Sequence, residues 1–542
     1  MALYPIIWTN YNFKRVYLCK LFTFIYIAAL DEQRISKTSM DFFRFLNRPA
    51  VQKTMAFAVF VFWIVLFYQK VGLFSKIDDR PGGEHAWAQI DRASMALNYH
   101  NDQAPFLLPR CNQIDGNAEG ITAGEFPLIA YSVSKMYDYW GFQERYHRLF
   151  VLGISLLGLL FTYLLALQFI KKPFWAAVLT SLWAASPNLI YYSFSFLPDS
   201  CALALLSIGI YFLLKNNEPI HTRQILLFSI LSSLAILLKT SALFPFGAIV
   251  FAFMLTRHKS KMPDMKTKIS FGIGTIIPLV LSFSWIRYAK SVVETYQIFT
   301  FLMEPTLPKS MNEIRYGMDF FLSFSNHYYI DGFWYFLFAA TLVGLIFIRH
   351  SNTFLLLSAL FIYASGYLFF LLLIQKSPHH FYYWVPFQLA VFFHLAWLFD
   401  LFLKLKVPLW ANMVLVTAFF IFLNYNAIHI HKNVNKRWTE GRDYFAKYYY
   451  LEPKLESLGI RYNDRVFSYQ DETFNNSLYL MNRKGITESV ANNHEQLNRV
   501  IQLCNYAVLS DTVFFENTSL RAHFGERMGS SEGLHIFKIK QR

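Results

Sequence analysis

From Thr54 onward the chain is built of apolar runs close to the length a bilayer demands, and that repetition restricts its fold more than any single residue does. A hydrocarbon core about 30 Å thick needs about 20 apolar residues in helical form, because every backbone N–H and C=O must be satisfied inside the segment. Such runs cover 54–72, 149–170, 174–192, 199–214, 224–240, 242–256, 269–288, 332–348, 353–374, 382–403 and 408–428. The expected fold is an all-α polytopic membrane protein with about eleven transmembrane helices. Ser186, Pro187 and Pro198 interrupt the third and fourth runs, which are therefore the least regular. Composition agrees: 55% of the 542 residues are hydrophobic and 16% charged, where soluble domains carry about a quarter charged.

The net charge of +15 is spread over short loops rather than gathered in one patch, which excludes nucleic acid as a partner. Lys171 and Lys172, Lys215 and Arg223, Arg257 with Lys259, Lys261, Lys266 and Lys268, Arg349, and Lys404 with Lys406 fall in alternate loops. The positive-inside rule puts those loops in the cytoplasm. The N-terminus is then cytoplasmic, and the long loop 73–148 and the chain after about Asn424 lie outside a plasma (inner) membrane crossed many times. Three parts follow: an N-terminal cytoplasmic or interfacial segment 1–53, a bundle 54–429, and an extracytoplasmic α/β domain 430–542. In the last, apolar runs shorten, Arg465–Tyr469 and His535–Lys538 read as strands, and Gln496–Cys504 reads as a helix. The stretch Leu18–Leu30 is an interfacial helix or part of an extension upstream of a start at Met40. Cys19, Cys111, Cys201 and Cys504 form no CxxC or Cys/His group, so no structural zinc site is expected. Cys111 and Cys504 share the outer side, where two reduced thiols are the expectation.

The polar residues with chemical capacity gather near the outer ends of the runs. Glu84-His85-Ala86-Trp87-Ala88-Gln89-Ile90-Asp91 through Asn98-Tyr99 places Glu84, Asp91 and Ser94 at roughly helical spacing, as on a solvated interfacial helix or on an acidic catalytic face. Glu125 precedes Phe126-Pro127, a turn that fixes one carboxylate at the bilayer surface. Asp199 follows Leu197-Pro198 at a helix start; a cap would explain it, and so would a functional carboxylate at the mouth of a bundle. Lys239 and Arg287 end apolar runs, either snorkelling to headgroups or clamping a phosphate. His379, His380 and Tyr382 lie in an aromatic outer loop, either an interfacial belt or contacts to phosphate and sugar hydroxyls.

These segments, with Arg148-Leu149 between them, resemble in order and spacing the family 39 type of membrane glycosyltransferase, over roughly 54–400. That superfamily of GT-C fold includes protein O-mannosyltransferases and lipid A aminoarabinose transferases. The resemblance implies a polyprenyl-phosphate sugar donor, a cell-envelope acceptor (glycan, lipid or protein), transfer of a hexose or pentose with inversion, and contact with membrane lipid. It also implies a carboxylate of the first outer loop as general base. Many members begin that loop with an Asp-Glu pair; here Gly83-Glu84 stands instead, which leaves the base open between Asp91 and Glu84. Asp199 matches the acidic residue of the second outer loop and stands with Asp91 and Glu84 among the catalytic candidates; Glu125, which matches the family's glutamate before a proline, and His85, Gln89, Lys239, Arg287, His379, His380 and Tyr382 are the expected substrate contacts.

The chemistry is coherent by itself. A hydroxyl is a weak nucleophile near neutral pH and needs a positioned base. A phosphate leaving group needs cations to steady its charge rather than an acid. No cofactor and no metal ligand set are expected; the alternative is Mg²⁺ or Mn²⁺ held by Asp91, Glu125 and Asp199. The competing readings are a transporter or flippase of lipid-linked sugars, which would carry polar residues along the bundle interior, and a membrane-anchored scaffold acting through 430–542.

Overall fold

The structure, a computed structural model, describes residues 48–540 apart from 115–118, 216–218, 263, 298–304, 324–327, 330–332, 405–425, 427–428, 440–441, 491–493, 511–515 and 517. The expected run 408–428 therefore falls, but for Asn426, outside the described residues, as do Leu18–Leu30 and Cys19. Met1–Val61 and Phe62–Arg542 are separate compact units. A first helix, α1, covers Pro49–Lys70; all other described elements belong to the second unit.

Two amphipathic helices follow, α2 (Ala86–Asn101) and α3 (Leu128–Trp140). The apolar helices α4 (Arg145–Ile170), α5 (Pro173–Ala184), α6 (Pro187–Tyr192), α7 (Asp199–Leu214), α8 (Thr222–Leu238) and α9 (Leu243–Thr256) come next. They are succeeded by α10 (Met265–Tyr296), α11 (Met311–Ser323), α12 (Phe333–Ile346), α13 (Thr353–Leu372) and α14 (Gln388–Lys404). Among the described residues five helical segments are long and apolar enough to cross a membrane: α1, α4, α10, α13 and Phe381–Lys404; α5, α7, α8, α9 and α12 lie in shorter apolar helices.

Local chemistry decides where the expected runs break. The run 174–192 is two helices rather than one, because Pro187 lacks an N–H to continue α5 while the Ser186 hydroxyl accepts from Leu189 N and starts α6. The run 382–403 opens instead with a 3₁₀ turn, Phe381–Trp384, before α14 begins at Gln388. Helices α4 and α7 approach closely at Gly158, where a Cβ would stand 2.3 Å from that of Ala204.

The C-terminal part carries α15 (Arg442–Tyr449), α16 (Glu452–Ser457), α17 (Asn476–Leu480) and α18 (His494–Ile501) beside a five-stranded sheet. Its strands are β1 (Val466–Ser468), β2 (Gly485–Thr487), β3 (Tyr506–Ser510), β4 (Phe524–Ser531) and β5 (Leu534–Ile539), in the order β2-β1-β3-β5-β4. β1 pairs in parallel with β2 and β3, whereas β5 runs antiparallel to β3 and β4. Cys111 and Cys504 are buried and not joined in a disulfide.

This sheet is tied to the first loop through apolar and polar contacts. Ile90, Ala93 and Leu97 of α2 share one buried cluster with Leu478, Tyr479 and Met481, and each large side chain so buried contributes about 1.5–3 kcal/mol. Ser94 and Asn98 both reach Asn112, which donates to Arg483 O at 3.1 Å. The expected solvated or acidic face of α2 is corrected by these contacts: Glu84 precedes the helix, Ser94 is spent on Asn112, and Asp91 is 3% exposed.

Candidate functional site

Three segments far apart in sequence converge beside α2. Asp91 and Arg92 come from its second turn. Glu125 stands just before α3, held by its neighbours: Trp285 of α10 donates to Gly124 O at 2.9 Å, and Phe126 N donates to Leu237 O at 3.3 Å. Asp199 is the first residue of α7, after Pro198. Lys239 follows α8 in extended backbone.

Glu125 bridges the two cations. Its Oε2 accepts from Arg92 at 2.7 Å, and its Oε1 pairs with Lys239. Lys239 is 4% exposed, lies 3.1 Å from Asp199 and faces the rings of Tyr382 and Tyr383 at 4.5 and 4.8 Å. Burial works to raise the Glu125 carboxyl, but Arg92 and Lys239 outweigh it and hold the group down at about 2.

Asp91 is in the opposite condition. Burial pushes it up to about 7 against the pull of Arg92, with Asp471 of the C-terminal part adding to the rise. Its Oδ2 stands 3.9 Å from Arg92, its Oδ1 is buried without a hydrogen bond of good geometry among the described residues, and the nearby Asn475 side chain works, like Arg92, to lower its proton affinity. Two carboxylates beside the same Arg92 guanidinium therefore differ in kind: Glu125 is a fixed anion, Asp91 a group that changes protonation near neutrality.

Glu84 belongs to another knot. Its carboxylate pairs with Arg437, whose guanidinium faces the rings of Tyr191 and Tyr192 at 4.5 and 5.1 Å. Gln89 is spent in the same knot, donating to Gly82 O, Glu84 O and Tyr191 Oη at 2.9, 3.0 and 3.1 Å. The missing aspartate of the Asp-Glu pair has a cause here. Gly83 has φ +79°, and a Cβ there would lie 2.4 Å from the carbonyl oxygen of Arg437, so the helical stretch 429–439 leaves no room for a side chain.

The aromatic loop is divided. His380 stacks on Tyr383 at 5.1 Å and meets the edge of Trp87 at 5.3 Å; burial pushes it down to about 4, so it is a neutral ring. His85 packs on Tyr382 at 5.0 Å and on His380 at 6.0 Å. His379 is exposed and lies instead on Phe320, 4.1 Å away. Arg287 stands on the exposed face of α10, two residues past Trp285, and the guanidinium in the cluster is that of Arg92. The geometry thus unites Asp91, Glu125, Asp199, Lys239, Tyr382, His85 and His380, and leaves Glu84, Gln89, Arg287 and His379 outside the group around Lys239.

Arg92, Tyr383, Arg437 and Asp471 were not singled out by sequence. Arg92 could have been found, since it adjoins Asp91 on a helix facing two other carboxylates. Arg437 and Asp471 carry no local signal, because their roles arise from contacts across more than 300 positions.

A small cavity of about 30 Å³ opens beside Glu125, lined also by Arg92, Phe126, His147, Phe196 and Pro198; it has room for about one or two waters. The Lys239 ammonium lies between the carboxylates of Glu125 and Asp199, and among the described residues no three His, Cys, Asp or Glu side chains converge as a ligand set.

The architecture is that of a multi-pass membrane protein with the GT-C fold. ArnT from Cupriavidus metallidurans bound to undecaprenyl phosphate superposes with TM-score 0.58 at 13% identity, over 88% of this chain and 98% of that one. Its apo state gives TM-score 0.57 at 14% identity, over 89% and 98%. An oligosaccharyltransferase from Archaeoglobus fulgidus, in complex with Zn and sulfate, gives 0.48 at 12%, over 83% and 68%, a likeness too loose to build on. No family model and no curated protein matches the sequence.

Proposed function

We propose that the protein is a membrane glycosyltransferase that moves a sugar from a polyprenyl-phosphate donor to a hydroxyl of a cell-envelope acceptor, with inversion and with Asp91 as general base. One observation carries the reading: a buried carboxylate in the first loop with a proton affinity near neutrality, beside two cations held by neighbouring carboxylates. The solved neighbour bound to undecaprenyl phosphate supports the class of donor.

In this reading the acceptor oxygen attacks the anomeric carbon, and the bond from that carbon to the phosphate oxygen breaks. The electron pair leaves with the polyprenyl phosphate, and the acceptor proton passes to Asp91. Such base catalysis contributes about 10²–10⁴-fold. Arg92 and Lys239 steady the departing phosphate, Arg92 by its fork geometry. Asp199 and Glu125 keep Lys239 charged and aimed, while Tyr382, His85 and His380 wall the sugar. Glu84 acts through Arg437 as a positioning residue, because its carboxylate is already committed. The cation–carboxylate cluster at one end of the helices favours an enzyme over a transporter, and the outer face of the plasma membrane is the proposed side.

The test is release of polyprenyl phosphate by the purified full chain in lipid nanodiscs, with a polyprenyl-phosphate sugar and membrane-extract acceptor. Asp91→Asn should lower turnover at least a hundredfold, Asp199→Asn less, and Glu84→Gln should act through stability. Unchanged release in Asp91→Asn would remove the assignment.

A further inference from the structure

One polar side chain of the C-terminal part is released from the duty its position usually carries. Asn475 stands at the N-cap of α17, where an asparagine side chain ordinarily accepts from the first turn of its own helix. It makes no such bond. Asp471 and Thr473 do that work: Asp471 accepts from Ser477 N at 2.7 Å, and Thr473 Oγ accepts from Asn476 N at 3.1 Å. Asn475 reaches instead to the first loop, where its Oδ1 accepts from Gln113 N at 3.1 Å.

That contact fixes which way the amide lies, because only its oxygen can accept from a backbone N–H. Gln113 is itself pinned: its Oε1 accepts from Thr487 N of β2 at 3.1 Å, and its neighbour Asn112 is held by Ser94 and Asn98 of α2. Asp91, Ser94 and Asn98 fall on one face of α2, at i, i+3 and i+7. With Oδ1 committed to Gln113, the Asn475 NH₂ is turned away from it, buried and without a hydrogen bond of good geometry elsewhere among the described residues. Asp91 Oδ1 is buried in the same condition. A buried donor and a buried acceptor, each lacking a well-formed partner elsewhere, are complementary, and the Asn475 side chain favours the ionised form of Asp91.

We propose that Asn475 is a positioning residue for the transfer reaction: its amide N–H donates to Asp91 and holds that carboxylate for the acceptor hydroxyl, so that the C-terminal part completes the site begun on α2. The role rests on the reading of Asp91 as general base. The other charged groups facing Asp91 are Arg92 of α2, Glu125 before α3 and Asp471; Arg92 favours the ionised form and the two carboxylates the protonated one. Removing the Asn475 donor therefore tips the balance toward the proton. A merely loosened interface would do the reverse, since water admitted to the site returns Asp91 toward the ordinary 3.8. The direction of the shift separates positioning from packing.

Asn475→Leu, of similar size and without donors, is made in the full chain in lipid nanodiscs, with and without Asp91→Asn. The melting temperature of each protein relative to its Asp91→Asn derivative, followed from pH 5 to pH 9, gives the protonation midpoint of Asp91 whatever the reaction is. Release of polyprenyl phosphate over the same range gives the rising limb of turnover. Both should move about one pH unit or more to higher pH, as the loss of a hydrogen bond to a charged group implies. Asp471→Asn should move both the other way. Should Asn475→Leu not fold, Asn475→Ala takes its place. A melting midpoint that stays near 7 or falls, with or without a loss of turnover, overturns the proposal. A midpoint that rises while the turnover limb stays put confirms the contact and overturns instead the base reading on which its role in transfer rests.

Discussion

Replacing Asp91 by Asn should make the protein both inactive and more stable, by an amount that depends on pH. The folded carboxyl keeps its proton up to about 7, whereas an ordinary aspartate releases it near 3.8. Between those values unfolding releases a proton, so this group lowers stability as pH rises and its effect levels off above 7. At about 1.4 kcal/mol per pH unit, the full difference amounts to about 4 kcal/mol. At pH 8 nearly all of it applies, and at pH 5 less than half, because the folded group is then still protonated. Asn keeps the shape and never ionises, so Asp91→Asn should stabilise by about 2–3 kcal/mol more at pH 8 than at pH 5. Thermal unfolding of both proteins in the same nanodiscs at the two pH values measures the difference, and turnover is read on the same samples. Wild-type turnover should climb through about pH 7 as the base ionises. Equal melting differences at pH 5 and pH 8 would show that burial does not hold the proton on Asp91, and the base assignment would lose its physical ground.

The other expectations concern the supports of the site. Glu125→Gln leaves Arg92 and Lys239 with one shared carboxylate fewer, and unpairing a largely buried charge set costs about 3–5 kcal/mol; the melting temperature should fall, and salt should restore part of it. Because Glu125 is held at about 2, its contribution is present above the ordinary glutamate range and is lost as pH falls from about 4.5 toward 2, which an acid titration of unfolding will show. Arg437→Met should destabilise strongly by leaving Glu84 buried and unpaired, and Glu84→Met added to it should recover most of the loss; a double variant that folds as well as wild type yet loses only modest turnover separates positioning from catalysis. Gly158→Ala should cost about 1–3 kcal/mol by forcing α4 and α7 apart, seen as a lower melting temperature.

The helical scaffold was readable because bilayer length and the obligation to close every backbone hydrogen bond leave few alternatives to an apolar helix. The runs 199–214 and 242–256 lie within about a residue of α7 and α9, and Arg465–Tyr469 and His535–Lys538 overlap β1 and β5. The site was readable only where a residue's peculiarity is local. Glu125 before Phe126-Pro127 and Asp199 after Pro198 advertise carboxylates at helix entrances, and both reach Lys239. Arg287 was indistinguishable by sequence from Lys239, since each follows an apolar run; only packing reveals that one faces the cluster and the other the exposed side of α10. Glu84 and Asp91 were likewise equivalent on the chain. What separates them is Arg437, contributed from 353 residues further along, which no pattern in the first loop encodes.

The charge arrangement also fits the proposed displacement step by step. With Asp91 ionised, three carboxylates, Asp91, Glu125 and Asp199, surround two cations, Arg92 and Lys239. As the acceptor proton moves to Asp91, one negative charge disappears there while another develops on the departing phosphate. The total seen by Arg92 and Lys239 stays constant; the charge is relocated rather than created, which keeps the cost of reorganising a poorly hydrated site low. Arg92, 3.9 Å from Asp91 and 2.7 Å from Glu125, can follow that relocation by a change of hydrogen-bond partner alone. The same bookkeeping demands that the donor phosphate compete with Glu125 for the cations on entry, since the cavity beside it is only about 30 Å³. Donor binding and a shift of Glu125 are therefore one event in this mechanism, and a variant that shortens this side chain, Glu125→Asp, should raise donor affinity less than it lowers turnover.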